Sequence, residues 1–154
     1  MKKLFYLLLL LPMSLFTSCD NDDLASFDMT LTLGNVTQSD GVFYAVAGQN
    51  VTIESLTVNP TGGKNTKVAN VIFHVDGYPI FPNPWNVESP ISFSTSGLAD
   101  GPHTIDITGN LLQVDQSIQV FNASYTLVTV QNEDDLPAGA PELGSYSQTI
   151  NFVK

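Results

Sequence analysis

The chain has 154 residues, with fifteen carboxylate side chains, five lysines, no arginine and one cysteine, and a formal net charge of −10. A chain this acidic and without a basic cluster is repelled by phosphate backbones and by anionic membrane surfaces, so nucleic acid is not an expected partner. A single cysteine likewise excludes an intrachain disulfide and a thiolate zinc site.

At the N-terminus, Lys2 and Lys3 precede an apolar run from Leu4 to Phe16 that ends in Phe16-Thr17-Ser18-Cys19-Asp20. A short basic segment, an apolar stretch too short to span a bilayer and small residues before the break predict a secretory signal peptide over 1–18. An ordinary signal peptide with a chance cysteine, or a short membrane anchor, fits less well, because neither accounts for the position of Cys19. Thr17-Ser18-Cys19 resembles the lipobox of bacterial lipoproteins, although Phe16 stands where that motif usually carries Leu. The resemblance implies that Cys19 is lipidated, becomes the first mature residue and attaches the protein to the membrane. Asp20-Asn21-Asp22-Asp23 is similar to the acidic export tag of surface-exposed lipoproteins from anaerobic Gram-negative gut bacteria. That likeness implies an outer-membrane protein displayed at the cell surface, whereas an Asp after the cysteine in enteric lipoproteins implies retention at the inner membrane. Read as composition alone, the same residues form a solvated tether over 19–27. Without the leader, Lys64, Lys67 and Lys154 remain against fifteen carboxylates, a formal charge of −12. The remaining stretch of about 135 residues suits one domain (28–154) with a single core.

From residue 28 onward the apolar period is two, and Gly, Asn, Asp and Pro clusters separate the runs, which predicts an all-β fold. Met29, Leu31 and Leu33 alternate with polar residues as a first strand, expected to end at Gly34. Runs around Phe43–Val46 and Val51–Val58 flank the turn Gly48-Gln49-Asn50. In the second of these, Val51 and Ile53 share one parity while Leu56 and Val58 take the other, so either Ser55 sits in the core or, as the favoured reading, a bulge resets the register near Glu54. Pro60 to Thr66 has loop composition. Val71, Phe73 and Val75 alternate in the next strand, which Asp76-Gly77 closes as a turn. The prolines of the segment Tyr78 to Trp85 exclude it from a central strand. Ile91 with Phe93, and Ile105 with Ile107, mark two further strands around a turn at Gly97 to Pro102. In Ser117 to Val130, Ile118 and Val120 have one parity and Tyr125 and Leu127 the other, so a bulge or bend is expected at Phe121 to Ser124. Gln131 to Pro141 is an acidic connector. Tyr146, Ile150 and Phe152 then share a face of a last strand, expected to cover a sheet edge. No segment has helical periodicity.

Three blocks in the middle of the chain resemble the bacterial Ig-like domain pattern: Val71-Ile72-Phe73-His74-Val75-Asp76-Gly77, Pro90-Ile91-Ser92-Phe93-Ser94-Thr95, and Gly97-Leu98-Ala99-Asp100-Gly101-Pro102-His103-Thr104-Ile105. The resemblance implies an Ig-like β-sandwich of seven to nine strands with Greek-key connections. It implies no activity, since such sandwiches serve as spacers, adhesins and enzyme appendages alike. It also implies a structural role for His103, whose imidazole bonds the backbone at a corner.

Candidate chemistry is sparse. His74 and Asp76 lie on one side of a strand, and His103 lies near Asp106, so two His-carboxylate dyads can be drawn. A solvated His74 and a corner-forming His103 account for both without catalysis. No nucleophile elbow, His-Glu-x-x-His or phosphate loop is present, so the chain reads as a non-enzyme that requires no cofactor. The acidic runs Asp20-Asn21-Asp22-Asp23 and Glu133-Asp134-Asp135 lack the spacing that wraps a cation, so no metal site is expected. The remaining candidate is the loop of Tyr78, Phe81 and Trp85. Rings held by Pro79, Pro82 and Pro84 can stack on the apolar faces of sugars, or can instead cap the core. The functional expectation is a lipid-anchored surface module that contacts a glycan or host protein, with a structural subunit of a fimbria-like assembly as the alternative. In that alternative, the last strand is donated to a neighbouring subunit.

Overall fold

The computed structural model describes residues 26–62, 66–82, 89–113 and 118–152. The leader, Cys19, the acidic tag and Trp85 lie outside the described residues. The strands are β1 (Ser26–Ser39), β2 (Val42–Val46), β3 (Asn50–Gly62), β4 (Thr66–Val75), β5 (Tyr78–Pro79), β6 (Ile91–Ser94), β7 (Gly101–Gln113), β8 (Gln119–Val130) and β9 (Gly144–Phe152). A 3-10 turn at Glu133–Asp135 is the one helical segment among the described residues. The protein is therefore all-β, as its period-two patterning dictates.

Hydrogen bonding orders the strands β5-β4-β7-β8-β2-β1-β3-β6, and β9 also pairs with β1. The β2–β8 pair is parallel and the other ladders are antiparallel. The mixed sheet curls until strands that share no ladder touch. Phe27 of β1 meets the ring of Phe121 of β8 edge-on at 6.2 Å, and the Tyr125 hydroxyl of β8 donates to the Met29 carbonyl at 3.2 Å. Burial around that hydroxyl pushes the Tyr125 pKa up to about 12, so it remains a donor. Between these surfaces lies one core, which includes Leu31, Leu33, Phe43, Phe73, Ile105 and Leu127.

β1 organises this arrangement. Residues 27–33 lie between β3 and β9, and residues 37–39 turn to pair with β2. It does not stop at Gly34, because Asn35 takes a left-handed φ of 60° and carries the chain onward. β1 also opens at Ser26, with Phe27 buried, so these two residues belong to the strand and not to a tether.

The expected bulge occurs at Glu54. Thr32 pairs with Ser55 and Leu33 with Ile53, so Glu54 has no partner and the inward parity changes there. Val51 and Ile53 precede it in the core and Leu56 follows it. The bulge expected in β8 does not occur. The β7–β8 ladder is continuous from Gly101 opposite Thr129 to Leu111 opposite Gln119. Phe121, Ala123, Tyr125 and Leu127 all point inward, and Ile118 and Val120 simply face solvent at 63% and 62% exposure. The loop expected over 60–66 is also shorter, because β3 runs to Gly62 and β4 starts at Thr66. Tyr146, Ile150 and Phe152 of β9 share the half-buried face that packs on the core, and Phe152 stacks on Phe27 at 4.5 Å.

Gly109 shows how tightly the β7–β8 layer is filled. A β-carbon there lies 2.6 Å from the Phe121 ring and 3.2 Å from the Asn70 carbonyl oxygen. Gly109→Ala is expected to destabilise the fold by about 1–3 kcal/mol through overpacking. Urea unfolding checks this: the midpoint should fall while the slope is retained.

Candidate functional site

Two places near one end of the sheet carry the chemistry that the sequence singles out. The first is the corner where β4 ends and β7 begins. Asp76 (φ 50°) and Gly77 (φ 81°) form the turn after β4, and the Asp76 amide bonds the Thr104 carbonyl at 3.0 Å. That geometry aims the carboxylate at the start of β7. Asp76 Oδ1 accepts the Thr104 amide at 2.9 Å, and Oδ2 lies 2.6 Å from His103 Nδ1. His103 Nε2 is 2.7 Å from the Ala99 carbonyl and 3.0 Å from the Thr129 hydroxyl. Thr129 itself donates to the Ala99 carbonyl at 2.5 Å.

The two dyads drawn from the sequence therefore exchange partners. The antiparallel register places His74 opposite Asp106, where Asp106 accepts a 2.6 Å bond from Ser124, while His103 takes Asp76. Adjacency along the chain concealed this, because the partner lies across a ladder. His103 is 7% exposed and both its ring nitrogens face oxygen atoms of the corner. No free nitrogen is aimed at a substrate, and the ring closes the corner by bonding the Ala99 carbonyl. The Thr104 amide bond, followed by the His103 bond, holds the Asp76 carboxyl below its ordinary pKa, against a small opposing effect of burial.

A depressed carboxylate pKa stabilises the fold above the ordinary value and loses that contribution as pH falls through the native value. Wild-type stability is expected to decline below about pH 4. Asp76→Asn should be less stable than wild type at pH 7, with the gap narrowing on acidification. Thermal melts from pH 7 to pH 2 check this, and parallel curves for the two proteins refute the assignment.

The second place is the segment after that turn. β5 is a two-residue bridge at the end of the strand order, with Pro79 opposite His74 and Tyr78 opposite Val75. Ile80 is buried at 7% and its amide bonds the Phe73 carbonyl at 2.9 Å. Ile80, and not Phe81, thus supplies the inward side chain. Tyr78 is 78% exposed and Phe81 73% exposed, so neither ring caps the core. Both border a cavity of about 450 Å³, whose walls include Val75, Phe93 and Leu98 and to which Ser92 and Ser94 contribute. It opens where β5 and β6, the two ends of the strand order, approach each other without a ladder. Phe93 and Leu98 were not site candidates from sequence. Their parity and turn position read only as core and corner. Trp85, the third ring of the expected platform, lies outside the described residues.

Among the described residues no group of three or more His, Cys, Asp or Glu is placed to hold a metal ion. No protein-family model, curated protein or solved structure matches the chain.

Proposed function

We propose that the protein is a lipid-anchored module of the outer cell surface, built on an Ig-like β-sandwich with Greek-key connections, that binds a glycan or protein ligand without catalysing a reaction. The observation that carries the binding reading is the apolar cavity of about 450 Å³ bordered by two rings left in solvent, Tyr78 and Phe81. Apolar side chains and a few hydroxyls, with no charged group among the lining residues, suit a neutral ligand. A sugar ring can place its apolar face on Tyr78 or Phe81 and its hydroxyls against Ser92 and Ser94. The non-catalytic reading is supported by His103, whose two ring nitrogens are both engaged at the corner. The sandwich reading is supported by the Phe27–Phe121 and Tyr125–Met29 contacts between strands that share no ladder.

The alternative of a structural subunit with a donated last strand requires β9 to leave β1. β9 pairs within its own chain from Phe152 opposite Phe27 to Gly144 opposite Val36. Hydroxyl bonds Thr30–Thr149 at 2.8 Å and Thr32–Ser147 at 2.9 Å reinforce the pair. That arrangement favours the binding module.

Both exposed rings can be removed with little effect on folding. Tyr78→Ala/Phe81→Ala is expected to change stability by no more than about 0.5 kcal/mol and to abolish binding on a glycan array. Wild-type protein that binds nothing across a broad glycan panel overturns the sugar assignment. For the anchor, Cys19→Ser is expected to abolish fatty-acid labelling and release the protein from membrane fractions. A labelled or membrane-retained variant contradicts lipidation at Cys19.

A further inference from the structure

The apolar residues that face solvent where β7 ends and β8 begins are not scattered. Asn110 pairs with Val120 and Leu111 with Gln119. Leu111 and Phe121 point into the core, so Leu112, Ile118 and Val120 share the outer face beside one another. Their exposures are 44%, 63% and 62%. Lys67 of β4 lies directly opposite Leu112 and on the same face, itself exposed. The result is a compact apolar patch with an ammonium group at its margin.

The patch lies at the end of the fold from which the N-terminal segment departs. Ser26 opens β1 opposite Gly62, at the β3–β4 end, and Phe27 touches Phe121, the residue that follows Val120. Seven residue steps separate Cys19 from Ser26, and a fully extended chain of that length reaches only about 25 Å. Among the described residues, the opposite end carries Asp76, Asp100, Glu133, Asp134, Asp135 and Glu142, grouped around the His103 corner and the connector that follows β8, while in the sequence Asp115 stands between Leu112 and Ile118 and Asp20, Asp22 and Asp23 between Cys19 and Ser26. The nearest carboxylate on β1, Asp28, lies between Asn59 and Asn151 on β1's neighbours, away from the β7–β8 face.

We infer that this rim of the β4–β7–β8 face, formed by Leu112, Ile118, Val120 and Lys67, is a membrane-contact surface that rests on the bilayer holding the anchor. The inference rests on the lipid-anchor reading given above. Apolar side chains enter the boundary between headgroups and acyl chains, and the Lys67 stem lies along them with its ammonium among lipid phosphates. Three side chains bind a membrane weakly by themselves. A tether this short converts that contact into an intramolecular one, at an effective concentration in the millimolar range for short flexible linkers. A second copy of the chain is the competing occupant of the patch. Stable self-association needs about 800 Å² per partner, far more than three partly exposed side chains supply. Contact at this rim turns the acidic end, with its cavity, away from the lipid.

Full-length lipidated protein in zwitterionic phosphatidylcholine vesicles, which do not repel a domain this acidic, tests this. Ile118→Cys and Gly97→Cys each receive an environment-sensitive thiol dye, Gly97 being an exposed position at the opposite end. The label at 118 is expected to shift blue and to be quenched by lipids brominated near the headgroup end, at a depth of about 5–10 Å. The label at 97 should show neither effect, and Leu112→Ser/Val120→Ser should return the label at 118 to its solvent signal. If the protein floats with vesicles but 118 and 97 behave alike, the contact surface is refuted while the anchor stands. If the protein fails to float, and the chain without an added cysteine takes up dye at Cys19, the anchor itself is refuted. A blue shift at 118 that persists without vesicles and accompanies dimer formation in sedimentation assigns the patch to a second copy and overturns the inference.

Discussion

The structure depends on β1, the strand through which every other part of the sheet is tied. It bonds β3 along one edge and β9 along the other, then changes direction to bond β2. Its inner side chains Phe27, Met29, Leu31 and Leu33 are each at most 1% exposed. The chain has no disulfide to close it, so apolar burial against β8 and the ladders on both sides of β1 must hold the curl. β9 completes this arrangement by covering the edge of β1 that β3 leaves open, a common way to protect a sheet edge.

How much of this was legible depends on whether the decisive contact is local. Alternation in Met29–Leu33 and Val71–Val75 identified inward faces correctly, because the side-chain period of a strand is a property of the strand itself. The parity change between Ile53 and Leu56 revealed the Glu54 bulge by the same logic. Applied to β8, however, that logic failed. Apolarity alone places Ile118 and Val120 inside and then requires an irregularity to reconcile them with Tyr125 and Leu127. The continuous ladder gives the inward positions to Phe121 and Ala123 instead. An apolar residue on a strand end can face solvent, and only the register determines which does.

The histidines illustrate the same limit at the level of the site. His103 was legible as a corner residue through the resemblance of its surrounding motif, and its bond to the Ala99 carbonyl has that form. Its carboxylate partner was not legible, because Asp76 is twenty-seven positions away and is brought close by the β4–β7 register and a left-handed turn residue. The loop aromatics followed a related pattern. Composition marked Tyr78 and Phe81 as able to stack or to cap, and the choice was made by the neighbouring Ile80, which fills the inward position through its bond to Phe73.

The solvent-facing apolar residues Leu112, Ile118 and Val120 and the exposed aromatics of the segment after Asp76 occupy opposite ends of the same fold. One end joins the chain leading from Cys19 and presents Leu112, Ile118 and Val120; the other presents carboxylates and the cavity beside Tyr78 and Phe81. Exposed apolar side chains weaken solubility and contribute nothing to the core, so their segregation to the two ends calls for a physical reason. With the anchor and the ligand proposed above, the molecule meets two different surroundings, lipid on one side and solvent-borne ligands on the other. For such a molecule, apolar exposure at each pole serves a separate contact, and the polar flanks of the sheet, rich in Thr and Ser pairs such as Thr30–Thr149 and Thr52–Ser92, keep the surface between them wettable.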